Sequence, residues 1–169
     1  MRVSLTLTSL EETTLLGALL AQEITRLKIT ALLCTGPLGS GKTTLIRAIV
    51  SALPGSEMAE VSSPSFAIAN HYPVEPKVLH ADLYRCQNDI PDEILESLEN
   101  DSQVTMIEWA EFLPKHPLGP TALDLNLTPI AGGRRLTFSA GLGCASSALK
   151  EIVTELGKRI PALLGTDSA

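Results

Sequence analysis

Cysteine is scarce in this chain of 169 residues: Cys34, Cys86 and Cys144 are the only three, and no two form a Cys-x-x-Cys pair. That spacing excludes a disulfide framework and a cysteine zinc site, and it points to reduced thiols in a cytoplasmic protein. Long apolar runs are missing too. None approaches the roughly 20 residues that cross a bilayer, so no membrane role is expected. Residues 1–7 alternate like a strand and do not read as a secretory leader. Basic charge is in deficit, with 13 Lys and Arg against 19 Asp and Glu for a net charge of −6. A surface that tracks nucleic acid through its own field needs the opposite sign, so work on RNA would have to pass through a partner. Two nucleotide-protein signatures are absent: the Asn-Lys-x-Asp of guanine recognition and the Asp-x-x-Gly switch of GTPases. Nor is there the clustered arginine lid usual in small-molecule kinases. The chain has no internal repeat and no low-complexity tract.

What is present is a phosphate-binding loop. Gly36-Pro37-Leu38-Gly39-Ser40-Gly41-Lys42-Thr43 fits G-x-x-x-x-G-K-[ST]. The apolar stretch 29–34 before it reads as a strand, and Thr44 to Val50 after it reads as a helix, the context this motif requires. Glycines let backbone N–H groups curl around a phosphate, and the helix N-terminus behind them favours negative charge. Pro37, Leu38, Gly39, Ser40, Gly41 and Thr44 are the expected cradle. Lys42 would reach the β- and γ-phosphates, and the Thr43 hydroxyl would ligate Mg²⁺. A nucleotide and Mg²⁺ are therefore the expected cofactors.

The remaining pattern alternates strands and helices. Residues 3–7 read as a strand, and Ser9 as an N-cap with Glu12 as its capping-box partner. The following helix runs to about Leu27, with a stripe of Leu15, Leu16, Leu19, Leu20, Ile24 and Leu27. Further strands are expected at 66–72, 77–82, 104–108, 123–128 and 135–139, the last two joined as a hairpin through Gly132-Gly133. Short and long helices are expected at 91–99 and 146–164, the latter ended or kinked by Pro161. The fold class is α/β: a mostly parallel phosphate-loop sheet with helices on both faces and antiparallel edge strands. One domain is expected over residues 1–165, with a frayed tail at 166–169.

Hydrolysis needs a carboxylate for the metal or for the attacking water. Asp82 and Glu108 each end an apolar strand, where α/β sheets bind their ligands. Sequence does not choose between them as the metal ligand. His80, two residues before Asp82, reads as a packed or hydrogen-bonded histidine rather than a catalytic base. Trp109, the only tryptophan, suits core packing, an adenine platform or a partner anchor. Arg85, Arg134 and Arg135 are candidates for phosphate or base contacts. The hydroxyl-rich segment Ser62-Ser63-Pro64-Ser65 suits a switch that senses the γ-phosphate.

Taken in order, Gly-x-x-Gly-x-Gly-Lys-Thr-Thr, Ser63-Pro64-Ser65-Phe66, His80-Ala81-Asp82-Leu83-Tyr84-Arg85 and Ile107-Glu108-Trp109 resemble the TsaE family over roughly residues 8–140. These are small bacterial ATPases of tRNA threonylcarbamoyladenosine synthesis. Two positions depart from the family pattern: Ser65 replaces a threonine, and Ala110 a proline. The C-terminal helix carries no matching motif. The resemblance implies that the nucleotide is ATP, that Thr43 and Glu108 ligate Mg²⁺ and that Asp82 acts near the γ-phosphate or the attacking water, with Lys42 completing the catalytic set. It also implies that residues 63–66 respond to ATP, that Arg134 or Arg135 lies near the nucleotide, and that Thr13 or its neighbours lie near the adenine. The implied partners are TsaB- and TsaD-type proteins. TsaD transfers the threonylcarbamoyl group to adenosine 37 of tRNA, and the ATPase resets the complex between turnovers, meeting tRNA only indirectly. The competing expectations are a small-molecule kinase and a nucleotide-sensing assembly subunit with little hydrolysis.

Overall fold

Seven strands form one mixed sheet in the computed structural model, which describes all residues except 60, 63, 65–66, 87–88, 115–120, 141–143 and 164–169. The strands are β1 (Arg2–Leu7), β2 (Ala31–Thr35), β3 (Ala69–Tyr72), β4 (Val78–Asp82), β5 (Val104–Glu108), β6 (Ala122–Ile130) and β7 (Gly133–Ser139). Their spatial order is β1-β7-β6-β2-β5-β4-β3. The central four, β6, β2, β5 and β4, run parallel. Antiparallel pairing closes both sides, through β7 and β1 at one edge and β3 at the other. The expected class is therefore the observed one. Ser63, Ser65 and Phe66, expected to belong to a switch, lie outside the described residues, as does the expected tail at 166–169.

Strands β4 and β5 are buried along their whole length, and β2 along all but its last residue, so they read as continuous apolar runs. Strands β6 and β7 alternate instead. Side chains of successive strand residues take opposite faces. On one face Leu32, Cys34, Val104, Met106 and Phe138 pack under α1 (Leu10–Leu27), α2 (Lys42–Val50) and α4 (Cys144–Arg159). On the other, Leu33, Leu79, Ala81 and Ile107 pack with Leu83 and with Ile94 of α3 (Asp92–Ser97). Each fully buried leucine or isoleucine contributes about 1.5–3 kcal/mol. The larger face thus supplies most of the stabilisation, and it holds the phosphate-loop helix in place.

Local chemistry explains the element ends. Ser9 Oγ accepts from the Glu12 N–H at 3.1 Å, and the Glu12 carboxylate accepts from the Thr8 N–H at 2.5 Å. The reciprocal bond of the cap therefore lands one residue before the N-cap. It holds the Glu12 carboxyl below its usual range. Leu15 departs from the expected stripe: it is 55% exposed, because Leu16, Leu20 and Ile24 already fill the buried face. At Gly17 a Cβ would come within 2.5 Å of the Ala48 Cβ, so the glycine sets the close crossing of α1 and α2. Strand β3 begins at Ala69 rather than Phe66, after a turn in which the Ile68 N–H donates to the Pro64 carbonyl. Helix α4 stops at Arg159, and Pro161 opens a short 3-10 turn instead of continuing it.

Candidate functional site

Parallel pairing brings the carboxyl ends of β2, β5 and β4 to one edge. Cys34, one residue before the end of β2, is in register with Glu108, and Glu108 with Asp82. The period-two alternation then decides the face. Val78, Val104 and Met106 lie in the core under α1 and α2, and His80, Asp82 and Glu108 are at the same parity as these residues. All three polar side chains therefore lie on the face that α2 covers, and Asp82 and Glu108, at the strand ends, meet the start of α2, where the loop from Gly36 delivers Lys42 and Thr43.

The loop has the backbone its glycines permit. Gly36, Gly39 and Gly41 have φ of 131°, 75° and 98°. Gly41 is the N-cap of α2 without a side-chain cap, which leaves helix N–H groups facing the cleft. Ser40 Oγ is buried without a hydrogen-bond partner among the described residues. Lys42 is 4% exposed, and its Nζ donates to the carbonyls of Gly36 at 2.7 Å and Pro37 at 3.0 Å. It also sits 4.0 Å above the Trp109 ring. Burial holds the Lys42 ammonium below its usual pKa, with Glu108 acting in the other direction.

Thr43 Oγ1 lies 2.7 and 2.9 Å from the two Glu108 carboxylate oxygens, to which it donates. His80 Nε2 lies 2.9 Å from Glu108 Oε1. Asp82 Oδ1 accepts from the Tyr84 N–H at 3.0 Å, which anchors the turn after β4. Asp82, Glu108, Lys42, Thr43, Thr44 and Trp109 line one cleft of about 200 Å³, together with Leu38, Gly39 and Gly41. The oxygen donors Thr43, Glu108 and Asp82 fit a hard cation such as Mg²⁺. Among the described residues no three His, Cys, Asp or Glu side chains are grouped to hold a metal alone. A cation here would need phosphate oxygens or waters to complete its shell.

Trp109 has φ 60° and ψ 41°, a left-handed conformation, and caps a 3-10 turn at Ala110–Phe112. For a bulky residue this costs about 1–2 kcal/mol. Its ring is held by Tyr84 at 4.9 Å and Phe112 at 6.0 Å between centroids. The turn thus forms with Ala110 where the family pattern has proline. Trp109 packs on aromatic neighbours, as its core-packing reading expects, and it also lines the cleft beside Lys42.

The β6–β7 hairpin reaches over the loop from the other side. Strand β6 runs past the end of β2, and a Cβ on Gly36 would meet the Leu127 carbonyl at 2.1 Å. The turn at Gly132 then returns Arg134 to the loop, where a Cβ on Gly41 would meet its guanidinium at 2.0 Å. Arg134, Ser40, Gly41, Thr44, Leu7 and Thr8 line an adjoining cleft. Arg135, one residue on, is absent from that lining. Thr13 is fully buried, and its hydroxyl donates to the Ser9 carbonyl at 3.0 Å. The neighbour just before the first helix that lines this cleft is Thr8, which no sequence signal singled out and whose N–H and hydroxyl donate to the Glu12 carboxylate. Ser65 lies outside the described residues. Its segment is tied at Val61, whose carbonyl accepts from Arg47 Nε at 3.0 Å, and at Ser62, whose carbonyl accepts from the Tyr72 hydroxyl at 3.1 Å.

No helix among the described residues is long and apolar enough to cross a membrane. The TsaE family model, described as threonylcarbamoyl adenosine biosynthesis protein TsaE, matches residues 7–136. A curated TsaE of a Nostoc species is 32% identical over 149 residues, which covers 82% of this chain and 86% of that protein. The Mycobacterium tuberculosis TsaE is 28% identical over 137 residues, covering 75% and 79%. The Aquifex aeolicus TsaE is 36% identical over 95 residues, covering 54% and 68%. The crystal structure of Bacillus subtilis YdiB has the same fold, with a TM-score of 0.69 at 20% identity over 92% of this chain and 96% of that one. By the family match and by these relatives, the chain belongs to the TsaE family of tRNA threonylcarbamoyladenosine biosynthesis proteins.

Proposed function

We propose that this chain is a Mg²⁺-dependent ATP-binding and ATP-hydrolysing subunit. It would work in the cytoplasm beside TsaD- and TsaB-type proteins that transfer threonylcarbamoyl to adenosine 37 of tRNA. The observation that carries the reading is the convergence of the phosphate loop with Thr43, Glu108 and Asp82 at the ends of adjacent strands. A glycine-rich loop alone would support only phosphate binding. A threonine bonded to one carboxylate, with a second carboxylate in register beside it, adds what hydrolysis needs.

In this reading the loop N–H groups hold the phosphates, and Lys42 leaves the Gly36 and Pro37 carbonyls to reach the β- and γ-oxygens. Thr43 and Glu108 would hold Mg²⁺, which would supply charge neutralisation on the phosphate oxygens. Asp82 orients and polarises the attacking water. Arg134 and Thr8 line the space beside the loop for the rest of the nucleotide, and Trp109 covers Lys42 from the β5 side. Hydrolysis resets the partner complex, and tRNA is met only through it. The acidic charge of the chain fits a subunit that does not hold RNA itself.

The test is ATP hydrolysis with and without Mg²⁺, by the chain alone and with TsaB and TsaD added. Slow turnover that rises with the partners and vanishes in Lys42→Ala is expected. Turnover indifferent to the partners would remove the tRNA-modification role and turn attention to a phosphate acceptor.

A further inference from the structure

Glu108 has a partner that the chemistry above leaves unused. His80 stands in β4, opposite Met106 of β5 and diagonal to Glu108, and it is fully buried. Its Nε2 lies 2.9 Å from Glu108 Oε1. A carboxylate only accepts, so Nε2 carries the proton and donates. Nδ1 is buried and has no hydrogen-bond partner among the described residues. The Tyr72 ring packs beside the imidazole, with centroids 6.2 Å apart. An apolar side chain of similar size would fill this space without an unpaired nitrogen, and burying that nitrogen costs stability. What the imidazole supplies that leucine would not is the single N–H bond to Glu108. That bond comes from the sheet interior, on the side away from the open cleft. Thr43 holds the same carboxylate from the loop helix.

We propose that His80 is a positioning residue that fixes the Glu108 carboxylate for cation binding. Its bond to Oε1 holds one oxygen, so the group presents its remaining lone pairs to Thr43 and the phosphate loop. The carboxylate then does not have to be ordered when a cation arrives, and cation affinity rises accordingly. The inference rests on the Mg²⁺–nucleotide reading of this site, and its test separates the two.

The experiment is calorimetric titration of ADP into the full chain at graded Mg²⁺ and in EDTA, beside thermal melts. His80→Leu removes the donor and keeps the bulk, and His80→Gln keeps an N–H donor. For His80→Leu the Mg²⁺ needed for half-maximal enhancement of ADP binding should rise about 10–100-fold, the usual effect of losing an outer partner of a ligand. Its ADP affinity in EDTA should stay within about twofold, and the melts establish that the variant is folded. His80→Gln should recover most of the Mg²⁺ response. His80→Met carries the same expectation as His80→Leu and replaces it if the leucine variant does not fold. An unchanged Mg²⁺ requirement in the apolar variant would overturn the positioning role, as would a parallel loss of ADP affinity in EDTA. A wild-type chain that binds ADP with no Mg²⁺ response would overturn the site reading itself, and this inference with it.

Discussion

Lys42→Met separates what the loop lysine does for the fold from what it does for a ligand. The ammonium makes two hydrogen bonds to carbonyls and one contact with the Trp109 ring. Charge-assisted bonds of this kind contribute about 1.5–3 kcal/mol each, and the ring contact about 0.5–2 kcal/mol. Against them stands the cost of burying the charge, which is why the Lys42 pKa lies below its ordinary value. Methionine keeps the stem against Trp109 and removes both the bonds and the buried charge. Gly36 is partly exposed and Pro37 exposed, so water replaces the lost donor at their carbonyls. The opposing contributions nearly cancel, so stability should change by no more than about 1 kcal/mol, or roughly 2–4 °C in melting temperature.

The pH dependence carries the sign. A lysine whose folded pKa is depressed binds fewer protons in the folded state than in the unfolded state, between that pKa and 10.5. Wild-type stability should therefore gain a contribution from Lys42 as pH rises through that window, and Lys42→Met should lack it. Binding should respond very differently. Losing the ammonium that the proposed reading directs at the β- and γ-phosphates should cost about 2–5 kcal/mol, which is about 30-fold to several-thousand-fold in ATP affinity. Trp109, the single tryptophan, reports both melting and ATP titration by its fluorescence. ATP binding at wild-type strength by a folded Lys42→Met would refute the placement of phosphate in this loop.

Three further outcomes follow from the same geometry. Gly17→Ala drives a methyl into Ala48, where 2.5 Å separates the Cβ positions, and should cost about 1–3 kcal/mol by thermal melt. Adding Ala48→Gly should recover part of that loss. Glu12→Gln removes a carboxylate whose pKa is depressed by its bond to Thr8. The stability it contributes is present above about pH 4.5 and lost as pH falls through its folded value. The variant should therefore melt lower than wild type at pH 7, with the gap closing in acid. Arg134→Ala removes the guanidinium lying against Gly41 and should weaken ATP about tenfold or more, with little change in the melt because Arg134 is partly exposed at the hairpin. Equal ATP affinity in that variant would remove the hairpin from the nucleotide site.

Much of this was legible because strong local signals agreed. The glycine pattern fixed the loop, and continuous apolar runs fixed the buried strands. Ser9 and Pro161 marked helix ends that the structure keeps. Asp82 and Glu108 were visible as carboxylates ending apolar strands. What could not be read was their register, because the Asp82–Glu108 pairing depends on β5 lying between β2 and β4. Non-local strand order leaves no trace in periodicity. His80 could be recognised as buried, but its partner could not, since the contact crosses between strands 28 residues apart in sequence. Leu15 reads as core because it is a leucine in a leucine stripe, yet its angular position on α1 turns it to solvent. The hairpin was legible from Gly132-Gly133, whereas the return of Arg134 onto Gly41 follows from how far β6 overruns β2. Trp109 gave no hint of a left-handed backbone, which for a bulky residue is set by tertiary packing.

The central claim is that hydrolysis by this chain, and not nucleotide occupancy alone, sustains the partner reaction. Multiple-turnover formation of threonylcarbamoyladenosine on tRNA, in mixtures of TsaB, TsaD and this protein, tests it with Lys42→Ala and Glu108→Ala side by side. Lys42→Ala removes the ammonium proposed to bind phosphate, and Glu108→Ala removes the carboxylate bonded to Thr43 while leaving Lys42 in the sequence. The account predicts that both variants fall to the level seen without this protein. Glu108→Ala supporting full turnover while Lys42→Ala supports none would contradict it, and the chain would then act as a nucleotide-sensing assembly subunit.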